Sequence, residues 1–251
     1  MISNRFRIKK GVRQGCVLSP YLLNVLHEMV MRETLEGYQG GLLIGGRRIS
    51  NLRYADDILL IATSEQELQV LVDRDNTVSN QYNFMINVDK TKVMATCKNK
   101  CNILINNEKL QQVDTFKYLG ALITDDAQCT GDIHARLGNG TGNLKSMQRL
   151  WQSHDISIDT KVRLLKTNAW SAAIYGCEDW MSKKSDESRI EAFEMKGLKQ
   201  ILRVSWTARK TNEWILEKAG VTKTLLANIK TTNLRNFGHI MRHNCIDKKL
   251  S

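Results

Sequence analysis

The run Asn51-Leu52-Arg53-Tyr54-Ala55-Asp56-Asp57-Ile58-Leu59-Leu60-Ile61 leaves the chain few ways to fold locally. Two strand-like stretches flank a short acidic step, which predicts a β-hairpin with two adjacent carboxylates at its tip. Carboxylates on a tight turn are hard oxygen donors, the ligand type that Mg²⁺ prefers. Two-metal nucleotidyl transfer needs such donors beside the attacking and leaving oxygens. Four residues alone carry little weight, because an acidic hairpin tip is usually a solvated turn. The surrounding segments decide how to read it.

Ser19-Pro20 opens a helix, with Ser19 as N-cap and Pro20 at the first helical position. Leu22, Leu23, Leu26, Met29 and Val30 follow at helical spacing, and Gly37 supplies the stop. Gly45-Gly46 reads as a two-residue hairpin turn leading toward the acidic tip. Ser64-Glu65-Gln66-Glu67 is a capping box before an amphipathic helix carrying Leu68, Leu71, Val72, Val78 and Tyr82. Strands are predicted at 92–96, 102–106 and 116–124, with Asn106-Asn107 as a turn. Over residues 11–124 this order predicts an α+β sheet layer covered by helices.

From about Asp132 the pattern becomes helical. Gly138-Asn139-Gly140-Thr141-Gly142-Asn143 reads as a flexible break in the first helical stretch. Helices are predicted over Asp159–Tyr175 and at 186–203, 211–219 and 223–243. All five tryptophans lie in this half, where anchoring a helical core is a simpler role than stacking on bases.

The chain has 251 residues and a formal charge of +11, which favours a polyanionic partner. Residues 1–125 hold 16 Lys/Arg against 13 Asp/Glu, and 126–251 hold 21 against 13, so the halves carry +3 and +8. The helical half is therefore the better candidate for gripping a phosphate backbone. No run of 18 apolar residues suggests a membrane span. The N-terminal residues lack the apolar core of a signal peptide. Six scattered cysteines fit reduced thiols in an intracellular protein of the cytoplasm or nucleus. Cys97 and Cys101 lack a second ligand pair at finger spacing. His239, His243 and Cys245 amount to half a zinc site, with surface helix histidines as the plainer reading.

Four segments occur in a telling order. They are Gly11-Val12-Arg13-Gln14-Gly15-Cys16-Val17-Leu18-Ser19-Pro20, Tyr54-Ala55-Asp56-Asp57, Asn87-Val88-Asp89-Lys90-Thr91-Lys92 and Phe116-Lys117-Tyr118-Leu119-Gly120. The series resembles the palm of reverse transcriptases encoded by non-long-terminal-repeat (LINE-type) retrotransposons. Tyr175-Gly176-Cys177-Glu178-Asp179-Trp180, Thr211-Asn212-Glu213 and Phe237-Gly238-His239-Ile240-Met241-Arg242 resemble the helical region that follows it.

The resemblance implies a partial palm at 1–125 and a helical thumb and C-terminal region at 126–251. It implies an RNA template, a DNA primer and a deoxynucleoside triphosphate as partners, with Mg²⁺ or Mn²⁺ as cofactor. Asp56 would be the metal-ligating palm aspartate and Asp57 its partner. Gly15 would let the backbone approach the nascent pair, and Gln14 would lie against template or nucleotide. Arg13 would reach phosphate or close a surface ion pair. Lys90 would protonate leaving pyrophosphate, or else is an exposed loop lysine. Phe116, Tyr118, Leu119 and Gly120 would form the primer grip, although by pattern alone they are ordinary strand residues.

One departure tempers these roles. The family needs a further aspartate on a strand ahead of the glycine-rich loop, and the ten residues before Gly11 contain no Asp or Glu. The fingers and any endonuclease domain are likewise missing from this sequence. With one carboxylate pair, metal is expected to bind weakly, and this chain alone is not expected to polymerise DNA at a useful rate. The alternative reading is a non-catalytic nucleic-acid-binding remnant. A viral RNA-dependent RNA polymerase is disfavoured by Tyr-Ala-Asp-Asp where Gly-Asp-Asp is more usual.

Overall fold

The computed structural model describes residues 15–96 and 99–242. These fall into two compact units, one of 15–95 with 99–113 and one of 114–242 with residue 96.

In the first unit, α1 (Ser19–Thr34) and β1 (Leu42–Ile44) are followed by β2 (Arg47–Ile49), β3 (Asn51–Tyr54), β4 (Asp57–Leu60) and α2 (Glu65–Gln81). Short strands β5 (Lys92–Val93), β6 (Leu104–Ile105), β7 (Glu108–Lys109) and β8 (Gln111–Gln112) complete it. The expected sheet layer is replaced by separate two-stranded pairs, β1–β2, β3–β4, β6–β7 and the parallel β5–β8. Turn chemistry explains the hairpins. Gly45 and Gly46 sit at φ +54° and +82°, and Asn106 and Asn107 at +51° and +65°, the left-handed pair that a two-residue hairpin turn requires. Val72, Val93, Ile103, Ile105 and Leu110 form the core beneath them.

Two helix starts differ in detail from the sequence reading. Leu18 occupies the cap position of α1 and Ser19 is already helical, because Ser19 N–H turns back onto the Cys16 carbonyl at 3.2 Å. Ser64 does cap α2, accepting from Glu67 N–H at 3.2 Å. The return half of the box reaches one residue further, since the Glu67 carboxylate accepts from Thr63 N–H and from Gly41 N–H. Bonds from Thr63, first through its hydroxyl, hold that carboxyl down at about 2. Only part of the apolar face expected on α1 is buried. Val30 and Met31 pack inside, while Leu22, Val25 and Met29 stay half-exposed or more.

The second unit begins with the hairpin β9 (Thr115–Tyr118) and β10 (Ala121–Thr124). Helices α3 (Thr130–Ser146), α4 (Gln148–Gln152), α5 (Ile158–Leu164) and α6 (Ser171–Ile174) follow, then α7 (Lys184–Leu202), α8 (Asn212–Lys218) and α9 (Leu225–Arg242). The second compact unit starts at 114, so the hairpin falls with α3, to which it is bonded: Leu122 N–H donates to Asp132 Oδ1 at 3.0 Å. Trp151, Trp170 and Trp180 are buried in a core that runs through α3, α7 and α9. Lys161 is buried too, its ammonium donating to the carbonyls of Trp151 and Ser153 at the C-terminal end of α4, where the negative end of the helix dipole favours a cation.

The glycine-rich stretch 138–143 is not a break; it lies inside α3. A Cβ on Gly140 would sit 2.8 Å from Phe193 Cζ and 2.9 Å from both the Ala169 carbonyl oxygen and Ala173 Cβ. The glycine is there for close helix packing. Between α5 and α6, residues Leu165–Trp170 widen into a π-helical turn, so the expected helix 159–175 is continuous but not regular. Gly140→Ala is expected to destabilise this unit by about 1–3 kcal/mol through overpacking. Equal or higher stability in denaturant melts would show that α3 can back away from Ala169 and Phe193.

Among the described residues the four cysteines, Cys16, Cys101, Cys129 and Cys177, are all free. No described helix is long and apolar enough to cross a membrane. Of the half zinc site, His239 lies on α9, while His243, Cys245 and also Cys97 fall outside the described residues.

Candidate functional site

The acidic tip forms a two-residue turn. Tyr54 pairs with Asp57, which leaves Ala55 and Asp56 as the turn residues. Ala55 sits at φ +53°, a left-handed conformation costing an alanine about 1–2 kcal/mol. Such strain persists where neighbours over-determine it, and here α1 does so twice. The His27 tautomer with its proton on Nδ1 donates to the Ala55 carbonyl at 3.3 Å. Glu28 takes a 2.7 Å ion pair from Arg53 on β3. Phe84 braces the His27 ring at 5.3 Å between centroids. His27 and Glu28 were not singled out from sequence, since neither belongs to a motif and their partners lie more than twenty residues away.

Asp56 and Asp57 are both exposed. They are the right donors for a hard cation, yet they are too few. Asp57 opens a strand while Asp56 belongs to the turn, and no described group of three or more His, Cys, Asp or Glu side chains could hold a metal ion. The residues present do not fit a two-metal centre, and any cation on this turn would depend mostly on water and a bound phosphate for its ligands.

Gly15 is exposed at φ +83°, and a Cβ there would meet nothing within 4 Å. Its loop curls onto the start of α1. There the Leu18 N–H, then the Ser19 hydroxyl, lower the Cys16 thiol below its ordinary value. Arg13 and Gln14 lie outside the described residues. Lys90 ends the exposed turn before β5, its backbone N–H bonded to Asn87 Oδ1 at 3.0 Å. Its ammonium makes no ion pair among the described residues.

In the second unit, Phe116 and Tyr118 lie on β9, and Leu119-Gly120 forms the hairpin turn at φ +49° and +85°. A β-carbon is disfavoured at the first of these positions, yet Leu119 stands there 46% exposed. The hairpin rests on a buried polar cluster. Asp132 Oδ1 accepts from Leu122 N–H, and Asp132 Oδ2 accepts from Trp180 Nε1 at 3.0 Å. Arg136 pairs with Asp132 at 3.6 Å and donates to the Gly120 carbonyl. The Arg136 guanidinium also lies 4.9 Å from the centre of the Tyr175 ring. Trp180 and Asp179 in turn receive Asn233 and Asn236 from α9. Cys177 is buried within this segment, and that burial pushes its thiol up to about 11.

Residues 2–123 match the family model of reverse transcriptase (RNA-dependent DNA polymerase). The Pol polyprotein of the type-2 retrotransposable element R2DM of Drosophila melanogaster is 30% identical over 173 residues, covering 62% of this chain. Residues 2–123 are a reverse-transcriptase segment of the kind carried by LINE-type retrotransposons. A second insect relative of this reverse-transcriptase segment, the R2 Pol polyprotein of Popillia japonica, is 24% identical over 70% of the chain. A transposon-derived protein of Caenorhabditis elegans is 26% identical over 79% of the chain and 74% of its own length. The alignments cover only 16% and 30% of the two insect polyproteins.

Proposed function

We propose that this reverse-transcriptase segment is a palm-and-thumb portion of an RNA-directed DNA polymerase that, by itself, holds nucleic acid without extending a primer. In that reading Asp56 and Asp57 are the inherited metal-binding acids and Lys90 the inherited proton donor. Gln14 would lie against template or incoming deoxynucleoside triphosphate, Gly15 would let the backbone approach the nascent pair, and Arg13 would reach phosphate or close a surface ion pair. Phe116, Tyr118, Leu119 and Gly120 seat the DNA primer against its RNA template. The protein would work inside the cell, in cytoplasm or nucleus. The observation that carries the inert half of the proposal is the carboxylate count: the clamped turn offers two acids, and no third His, Cys, Asp or Glu among the described residues joins them in a group that could hold a metal ion.

Primer extension with Mg²⁺ or Mn²⁺ tests it. Wild type and Asp56→Ala are expected to stay together at background. Extension by wild type that Asp56→Ala abolishes would restore catalysis to this chain. Binding of a primer–template duplex is expected to weaken steeply with salt, as the net +8 of residues 126–251 suggests. A shallow salt dependence would remove the phosphate-gripping part.

A further inference from the structure

The motif Tyr175-Gly176-Cys177-Glu178-Asp179-Trp180 has no assigned task, and its parts divide cleanly. Trp180 and Cys177 are buried structural residues, while Tyr175 is 62% exposed. The division follows from the backbone. Helix α6 stops at Ile174, Tyr175 is extended, and Gly176 reverses the chain at φ +74°. Tyr175 is thereby displayed beside the hairpin turn: a Cβ on Gly120 would lie 3.7 Å from Tyr175 Cε1. One face of the ring is backed by the Arg136 guanidinium, which Asp132 and the Gly120 carbonyl hold in place. The rest of the ring faces solvent next to the exposed, left-handed Leu119.

We infer that Tyr175 is a nucleobase-stacking platform, which with Leu119 receives a terminal unpaired base of the strand lying on the 115–124 hairpin. An aromatic ring fixed by its neighbours loses little freedom when a base stacks on it, and a guanidinium behind the ring adds positive potential where a phosphate strand passes. A tyrosine needed only to cover Arg136 would have no reason to leave most of its surface open. The inference rests on the nucleic-acid-holding reading above and adds a contact residue to it.

The test measures anisotropy of a short fluorescein-labelled DNA single strand bound to the full chain. Tyr175→Ala is expected to weaken binding by about 10-fold or more, and Tyr175→Phe to restore it to within about twofold. The slope of affinity against salt is expected to stay unchanged, because no phosphate contact is lost. Wild-type binding with an indifferent Tyr175→Ala, or a Phe variant as weak as the Ala variant, overturns the platform alone. A wild-type chain that binds the primer–template duplex but no single strand overturns the platform alone, and one that binds neither overturns the nucleic-acid reading with it. Photocrosslinking of wild type to a strand ending in iodouracil needs no variant to fold. An adduct on Tyr175 is expected, and adducts confined to other residues would refute the assignment.

Discussion

Asp132→Ala is expected to destabilise the 114–242 unit by about 3–5 kcal/mol. The carboxylate is almost fully buried and serves three groups at once: Leu122 N–H on the hairpin, Trp180 Nε1 in the core and the Arg136 guanidinium one turn along α3. Deleting it leaves two N–H donors unpaired and a cation that is 12% exposed with no counter-charge, only the Gly120 carbonyl and the face of the Tyr175 ring. Each orphaned group carries its own desolvation cost, and the unpaired cation carries the largest. All five tryptophans lie in this unit, so fluorescence during guanidinium unfolding reports it without signal from the other. Asp132→Asn keeps an acceptor for Leu122 and is expected to lose less. A loss below about 1 kcal/mol for the alanine variant would mean that water reaches the cluster and replaces the carboxylate.

What could be read from the sequence was what is decided locally. Gly45-Gly46 and Asn106-Asn107 announce two-residue turns because few other residues tolerate that backbone, and both form. Ser64 caps α2 since its bond spans only three residues. The acidic hairpin was legible for the same reason. What depends on distant partners was not. Gly138 to Gly142 has the composition of a flexible break, yet the Ala169 carbonyl and Phe193 turn Gly140 into a packing requirement. Asp132, Arg136 and Lys161 look like surface charges until their acceptors and donors arrive from elsewhere in the fold. The hairpin 115–124 follows the palm-like motifs in sequence order, but its bonds run forward to Asp132 and Arg136 on α3. The Tyr175–Trp180 motif was recognisable as a pattern. Only the backbone reversal at Gly176 separates its buried end from its displayed ring.

The stability of the 114–242 unit is also expected to fall by about 3 kcal/mol as pH rises from about 4.5 to above 7, and Glu194 is the cause. Glu194 lies on α7, 1% exposed, and its Oε1 accepts from Leu225 N–H at 3.0 Å at the start of α9. Burial pushes its carboxyl up to about 7, and Glu191 adds to the rise. The Leu225 N–H and the Lys166 charge pull the other way. An unfolded glutamate titrates at about 4.5, so below that pH both states are protonated and the contribution is whole. Between 4.5 and 7 only the folded chain keeps its proton, and each pH unit erodes about 1.4 kcal/mol. Above 7 the buried carboxylate ionises and the loss is complete. Glu194→Gln retains the acceptor for Leu225 while removing the titration. It is therefore expected to match wild type near pH 4.5, exceed it by about 3 kcal/mol at pH 8, and flatten the profile between. Glu67, held down at about 2, acts with the opposite sign below pH 4.5. It lies in the unit that has no tryptophan, so the fluorescence readout isolates Glu194. If the glutamine variant declined with pH as steeply as wild type, the proton would sit elsewhere and Leu225 would be held by an ionised carboxylate.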